Sequence, residues 1–254
     1  MKPSGNTILI TGSTAGIGRG LALRFHEAGN KVVVAGRRKA LLQQIATGHP
    51  GIESIELDVA DAASIARASE LVAARYPDLN VVVNNAGIML REDVTKPESL
   101  RVAENTVTTN LLGTIRMTYA FLPQLTRKSD SAIINVSSAL AFVPFPIAMT
   151  YSATKAAVHA FTEALRVQLA DTSVRVIELA PPGVKTTLFG QENDQHAMPL
   201  KDFLDETLAL LHSEPAPREI IVERAKYLRT AEASGNYEAA LAMLSAWKKP
   251  ELRI

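Results

Sequence analysis

Thr7-Ile-Leu-Ile-Thr-Gly-Ser-Thr-Ala-Gly-Ile-Gly18 is the stretch whose reading decides the fold. Thr7 to Ile10 is a short apolar strand. A glycine-rich turn follows, then a helical run (Leu21, Ala22, Phe25, Ala28) that ends at Gly29. Strand, glycine turn and helix form the context in which backbone approaches a pyrophosphate resting on a helix N-terminus. The spacing of Gly12, Gly16 and Gly18 is not G-x-G-x-x-G, and the Lys-Ser/Thr of a P-loop is missing. A tight turn whose glycines serve only close packing is an equal reading at this point.

Working outward, strands and helices alternate almost throughout, which predicts an α/β fold: a parallel sheet with helices on both faces. Lys31 to Ala35 is the second strand, and Gly36-Arg37-Arg38 follows it. An acid here would meet a ribose 2′-hydroxyl, whereas an arginine accommodates a 2′-phosphate. With two arginines and no acid, the pattern favours NADP(H) over NAD(H), although Arg38 also reads as the surface start of a helix. Ile52 to Leu57 is the third strand and ends in Asp58-Val59; Asp58 either accepts from an adenine amino group or caps its own loop. Asp61 is a good N-cap for a helix running to Arg75. Asn80 to Val83, the fourth strand, leads into Asn84-Asn85-Ala86-Gly87, where the asparagines either stitch strand ends together or touch a ligand. A long helix is expected from about Pro97 to Gln124. Asn110 falls inside it, where asparagine is disfavoured, so a backbone irregularity, a buried hydrogen bond or a bound water is expected there. Ala132 to Val136 is the fifth strand. Ser137-Ser138 stand at its C-terminal end, where open α/β sheets place ligands.

Tyr151-Ser-Ala-Thr-Lys155 opens the next helix, which runs to Leu169. Residues four apart share a helix face. A phenol has a pKa of about 10, and a nearby ammonium favours its ionised form. Lys155 and a cationic ligand could therefore bring Tyr151 into working range as a general acid/base without histidine. The loop from Ala139 to Thr150 carries no charge and reads as a pocket lining or as packed core. With Met89, Leu90, Leu188 and Phe189 it points to a small neutral, largely apolar substrate. Val174 to Leu179 is the sixth strand and Glu219 to Val222 a seventh. Residues 187–213 suit a lid: a polar, irregular stretch to 199, then a helix from Asp202 to His212. Residues 223–254 read as one or two tail helices broken near Gly235, with Tyr237, Leu241, Leu244 and Trp247 on an apolar stripe.

The bulk numbers limit the alternatives. Of 254 residues, 47% are hydrophobic and 21% charged, ordinary for a globular chain with a large core. The 27 basic and 26 acidic residues leave a net charge of +1 with no basic block, which argues against nucleic acid as a partner. There is no cysteine, so no disulfide or thiolate chemistry, and the five histidines lack ligand spacing, so no metal is expected. No apolar run spans a membrane and no secretory segment is expected at the N-terminus. One cytoplasmic domain over residues 1–254 is the expectation.

Taken together, Thr11-Gly-x-x-x-Gly-x-Gly18, Asn84-Asn-Ala-Gly87, Asn110, Ser138 and Tyr151-x-x-x-Lys155 closely resemble the classical short-chain dehydrogenase/reductase family over residues 6–186. The Ala180-Pro-Pro-x-Val-x-Thr186 block, with Pro77-Asp-Leu-Asn80, is similar to a bacterial subgroup, the DltE-like oxidoreductases. The resemblance implies a Rossmann-type, doubly wound, seven-stranded sheet in the order 3-2-1-4-5-6-7. It implies a catalytic set in which Tyr151 exchanges the proton, Lys155 holds the nicotinamide ribose, Ser138 binds the substrate oxygen and Asn110 holds a water. It assigns the cofactor to Gly12, Ser13, Gly16, Ile17, Gly18, Arg37, Asp58, Val59, Asn85, Ala86, Gly87, Pro181, Val184 and Thr186, besides Tyr151 and Lys155. Met89, Ala139, Leu140, Phe145 and Leu188 fall at the substrate pocket. A homodimer or homotetramer is implied, with the helices around 98–124 and 151–169 packed across two-fold axes. Pro182 occupies the family's usual glycine slot, Ser138 is not followed by the common glycine, and Glu219 to Val222 lacks the usual strand signature. Two rival functions remain at this stage: a non-catalytic NADP(H)-binding regulatory or scaffold protein, and epimerase or dehydratase chemistry on a nucleotide sugar, for which the C-terminal portion is short.

Overall fold

A computed structural model of the protein describes residues 1–213, 215 and 217–246. Its strands are β1 (Thr7–Thr11), β2 (Lys31–Gly36), β3 (Ile52–Glu56), β4 (Val81–Asn84), β5 (Ser131–Val136), β6 (Val174–Leu179) and β7 (Glu219–Ile220). They form one seven-stranded sheet in the order β3-β2-β1-β4-β5-β6-β7, and every pairing is parallel. The helices are α1 (Gly16–Glu27), α2 (Lys39–Gly48), α3 (Ala62–Arg75), α4 (Ser99–Thr106), α5 (Gly113–Leu125), α6 (Met149–Gln168), α7 (Leu200–Leu211), α8 (Glu223–Arg229) and α9 (Tyr237–Ser245).

Alternation along each strand sends side chains to opposite faces. Ile8, Ile10, Val32, Val34, Val81 and Val83 pack with α1 and α7 through Leu21, Phe25, Phe203 and Leu204. Leu9, Val33, Val82 and Ile133 pack on the other face with Ile65, Val72, Phe121 and Leu165 of α3, α5 and α6. Both faces are therefore dry, which is why the strands read as continuous apolar runs. Asp61 caps α3 as its position predicts, accepting the Ala63 N–H at 2.9 Å.

Two expectations are corrected in detail. The helix expected from Pro97 to Gln124 begins at Ser99 and is interrupted: Val107–Leu112 is a π-helical segment between α4 and α5, and Asn110 lies inside it. β7 is only two residues long, because Val222 turns inward, fully buried, and starts α8. The tail is broken at Gly235, as expected, where φ is +70°. The apolar stripe of Tyr237, Leu241 and Leu244 packs within the chain, against Val143 and Ala231. Trp247 and the rest of the tail to residue 254 lie outside the described residues. Among the described residues no helix is long and apolar enough to cross a membrane.

Phe121 is 1% exposed and anchors α5 to the sheet. Phe121→Ala is expected to cost about 3–5 kcal/mol, read in urea as a lower unfolding midpoint with an unchanged m-value.

Candidate active site

The C-terminal ends of the strands meet where β1 and β4 pair while their connections leave in opposite directions, the usual place for a crevice in an open α/β sheet. The two turns leaving these strands lock together. The Thr11 hydroxyl accepts the Asn85 and Ala86 N–H groups, both at 3.0 Å. The Asn85 amide donates back to the Thr11 carbonyl at 2.9 Å. A Cβ on Gly12, whose φ is +66°, would stand 2.7 Å from Ala86 Cα, and one on Gly18 would stand 2.4 Å from the Asn85 amide nitrogen. Close approach, rather than turn geometry alone, is what these glycines provide.

Beside this lock lies a cleft of about 970 Å³. The N-terminus of α1 opens into it, and Ala15, its N-cap residue, makes no side-chain capping bond. Unsatisfied N–H groups at a helix start suit an anion. Arg37 and Arg38 line the same cleft from the end of β2. Arg38 donates through Nε to the Thr14 hydroxyl at 3.0 Å, so it faces the glycine turn and does not merely begin a helix on the surface. Asp58 caps its own loop, accepting the Ala60 N–H at 3.0 Å, and also lines the cleft. The paired asparagines divide the work. Asn84 donates to Asn135 of β5 at 2.9 Å, while Asn85 holds β1 and also lines the cleft.

At the far end, β5 delivers Ser138 and α6 delivers Tyr151 and Lys155. Glu92, 8% exposed, fixes the start of α6 by accepting the Thr150 N–H at 3.1 Å and the Thr150 hydroxyl. An acid at a helix N-terminus is favourable. The Ser138 hydroxyl accepts the Leu140 N–H at 3.1 Å and hydrogen-bonds Tyr151. The Lys155 ammonium donates to the Val136 carbonyl at 2.7 Å and lies 5.6 Å from the centre of the Tyr151 ring. Asn110 is fully buried behind them. It accepts the Ile88 N–H at 2.8 Å, donates to the Ile88 carbonyl at 2.9 Å, and donates to Thr154 of α6. The irregularity and the buried hydrogen bonds expected at Asn110 are both present.

Electrostatics corrects the simple charge argument. Burial pushes the Tyr151 phenol up to about 12, with the Ser138 hydrogen bond opposing. Burial pulls the Lys155 ammonium down to about 8, with the Glu178 carboxylate opposing. Desolvation outweighs the help Lys155 can give the phenolate, and its ammonium is held by the Val136 carbonyl. Tyr151 is thus a proton donor at neutrality.

Of the residues assigned from sequence, Ser13 is misplaced. It is fully buried; its hydroxyl donates to the Ile10 carbonyl at 2.8 Å and accepts the Ala35 N–H at 2.8 Å, joining β1 to β2. Asn110 is brought to the site without lining the cleft. The other assigned residues, Gly12, Gly16, Ile17, Gly18, Arg37, Asp58, Val59, Asn85, Ala86, Gly87, Ser138, Tyr151, Lys155, Pro181, Val184 and Thr186, line it, as do Met89, Ala139, Leu140, Phe145 and Leu188. Arg38, whose cofactor and surface-helix readings were both open, lines it too, and so do Thr14, Arg224, Tyr227 and Met243, which escaped the sequence reading. A groove of about 780 Å³ between α1, α2 and α7 shares only Thr14, Ala15 and Gly16 with the cleft and holds none of the acid-base residues.

Comparison with known proteins agrees with this geometry. The sequence model of the family described as short chain dehydrogenase matches residues 6–197. An uncharacterized oxidoreductase, DltE of Bacillus subtilis, is 40% identical over 91% of this chain and 93% of its own length. The NADP-dependent 3-hydroxy acid dehydrogenase YdfG of Salmonella typhi is 37% identical over 72% of this chain and 74% of its own. Among solved structures, a short chain dehydrogenase from Burkholderia cenocepacia in complex with NADP superposes with a TM-score of 0.81 at 28% identity, covering 96% of this chain and 99% of that one.

Lys155 loses its proton near pH 8 when folded and near 10.5 when unfolded. Between those values the unfolded chain binds more protons, so stability rises with pH. Urea titrations are expected to show a gain on the order of 2 kcal/mol between about pH 8 and about pH 10, absent in Lys155→Met.

Proposed function

The chain belongs to the short-chain dehydrogenase family, an NAD(P)-dependent oxidoreductase family, and on that premise we propose that it interconverts a carbonyl and a secondary alcohol with NADP(H) as the preferred cofactor. The observation that carries the reading is the convergence of Tyr151, Ser138 and Lys155 at the inner end of a cleft whose outer end presents an uncapped helix start and two arginines. The uncapped α1 terminus and the Gly12–Gly18 turn fit a pyrophosphate, and Arg37 with Arg38 fits a 2′-phosphate, to which arginine donates in bidentate fashion. Bound there, the dinucleotide supplies or takes up the hydride.

The remaining roles fall to the chain's own side chains. In reduction, the protonated Tyr151 gives its proton to the carbonyl oxygen, which the Ser138 hydroxyl orients. Lys155 contributes positive charge beside the phenol, so that the phenolate left after transfer is stabilised. In the alcohol-oxidising direction the same groups run in reverse. Asn110 keeps the Ile88 segment and α6 in register, and in this proposal it also holds a water that connects Lys155 to solvent.

The substrate side is apolar. Met89, Phe145 and Ala148 pack around Tyr151, with Leu140, Leu188 and Phe189 against them, and Phe145 and Phe189 meet edge to face at 5.9 Å. This lining supports a small neutral substrate, with residues 187–197 as its lid; the rest of the stretch expected to serve as a lid is not part of it, because α7 is packed into the core through Phe203 and Leu204. Exposed Leu100, Tyr119 and Val167 on α4, α5 and α6 support self-association through those helices, as a dimer or tetramer. A single cytoplasmic domain completes the proposal.

Screening aliphatic and aryl carbonyls by loss of NADPH absorbance identifies a working substrate. With it, Tyr151→Phe is expected to lower kcat by a factor on the order of 1000 while leaving NADPH affinity within about threefold. Retained turnover removes the mechanism. Replacing both Arg37 and Arg38 by Ala is expected to raise the KM for NADPH about tenfold or more and leave that for NADH nearly unchanged. Equal effects on both cofactors remove the stated preference.

A further inference from the structure

The roles above leave one wholly buried acid unexplained. Glu178 of β6 has no exposure at all. In register it lies beside Asn135 of β5 and Glu219 of β7, and Asn135 lies beside Asn84 of β4. Four adjacent parallel strands thus carry a row of polar residues where such a sheet ordinarily carries aliphatic ones. Glu178 is gripped from two sides. The hydroxyl of Ser137, next to Ser138, donates to one carboxylate oxygen, and His159 Nδ1 lies 2.7 Å from the other. His159 stands one turn along α6 from Lys155, which stands one turn from Tyr151. Lys155 is 4% exposed, and the carbonyl it holds belongs to Val136, in register with Leu179, the residue after Glu178. A buried ammonium without a counter-charge sheds its proton.

We propose that Glu178 is a positioning residue for the reaction: clamped by Ser137 and His159, it is the counter-ion that keeps Lys155 an ammonium beside Tyr151. This rests on the roles of Tyr151 and Lys155 given above. Its charge acts on Lys155 against the effect of burial. The other charges facing this position are accounted for. From α6, Glu163 lies 3.7 Å from His159 Nε2, and Arg166 turns to the carbonyls of Val176 and Arg218. From β7, Glu219 is paired with Arg229 of α8 through two bonds of 2.9 and 3.1 Å. Asn110, on the cleft side, is neutral. His159 is raised above the ordinary imidazole range, first of all by its hydrogen bond to Glu178. The ligand atoms of His159, Glu178 and Glu219 come within 4.8 Å of one another, yet Arg229 already supplies the positive charge at Glu219, so the cluster reads as an ion network and not as a metal centre.

Two variants separate charge from shape. Glu178→Gln keeps the side chain's size and removes its charge; Glu178→Asp keeps the charge and shortens the side chain. With lysine ¹⁵N resonances followed by NMR, Lys155 is expected to lose its proton about one pH unit or more below wild type in Glu178→Gln, and within about half a unit of wild type in Glu178→Asp. In NADPH-linked carbonyl reduction, the fall of kcat at high pH moves to lower pH by the same amount in Glu178→Gln. A purely structural role gives the reverse order, with the shortened side chain the more damaging. An unmoved Lys155 titration in Glu178→Gln overturns the proposal. If that variant does not fold, Glu178→Asp decides, and a shift of about one unit or more there overturns it. The titration needs no turnover, so its outcome is independent of whether Tyr151→Phe abolishes activity.

Discussion

Two turns pressed together at the ends of β1 and β4 determine most of what this molecule can do. Thr11 takes two backbone N–H groups from the Asn85 turn and gives its own proton to the Val83 carbonyl, while Asn85 returns a bond to the β1 end. Only glycine fits at the two places where these turns touch most closely. Because the chain departs from β1 toward β2 and from β4 toward β5, the crevice opens beside this contact. A helix start and a pair of arginines then face one end of it, and a phenol and an amine face the other. Neither end would be aligned with the other if the two strands slipped in register.

What could be read in the sequence was whatever a local backbone demands. Glycines at strand ends, a capping aspartate and the alternation of apolar runs with amphipathic helices all survive into the structure. Asn110 was legible for the same reason: a residue that a helix tolerates poorly sits where the helix widens. What lay hidden depended on direction or distance. Ser13 belongs to the right turn, but its side chain points back between two strands. Glu92 caps α6 from 58 residues away, and Arg224, Tyr227 and Met243 reach the cleft only because the tail folds across it. Desolvation of the phenol was hidden too, because counting neighbouring charges omits it, and at a fully buried tyrosine it is the larger effect within the chain itself.

The tail is tied into the same region by a few specific contacts. Arg229 of α8 pairs with Glu219 at the sheet edge and lies 4.5 Å over the ring of Phe142, which meets His159 edge to face at 4.9 Å. Val143 packs with Ala231 and Ala240. One guanidinium thus connects the short last strand, the loop before Tyr151 and the tail helices. The uncharged loop needs such an outside anchor, since its own two short 3₁₀ turns, Ala139–Ala141 and Pro146–Ala148, give it little rigidity.

The widened turn at Val107–Leu112 also sets a phase. It holds one residue more than the α-helical repeat, so the stripe that α4 presents and the stripe that α5 presents are offset from each other. Trimming a single residue there would yield a smoother helix and a better backbone ladder. It would also swing everything beyond it by about 100°, carrying Thr114, Met117 and Phe121 away from the sheet. The segment therefore behaves like a reading frame: its residue count, as much as its composition, is fixed by what lies on either side.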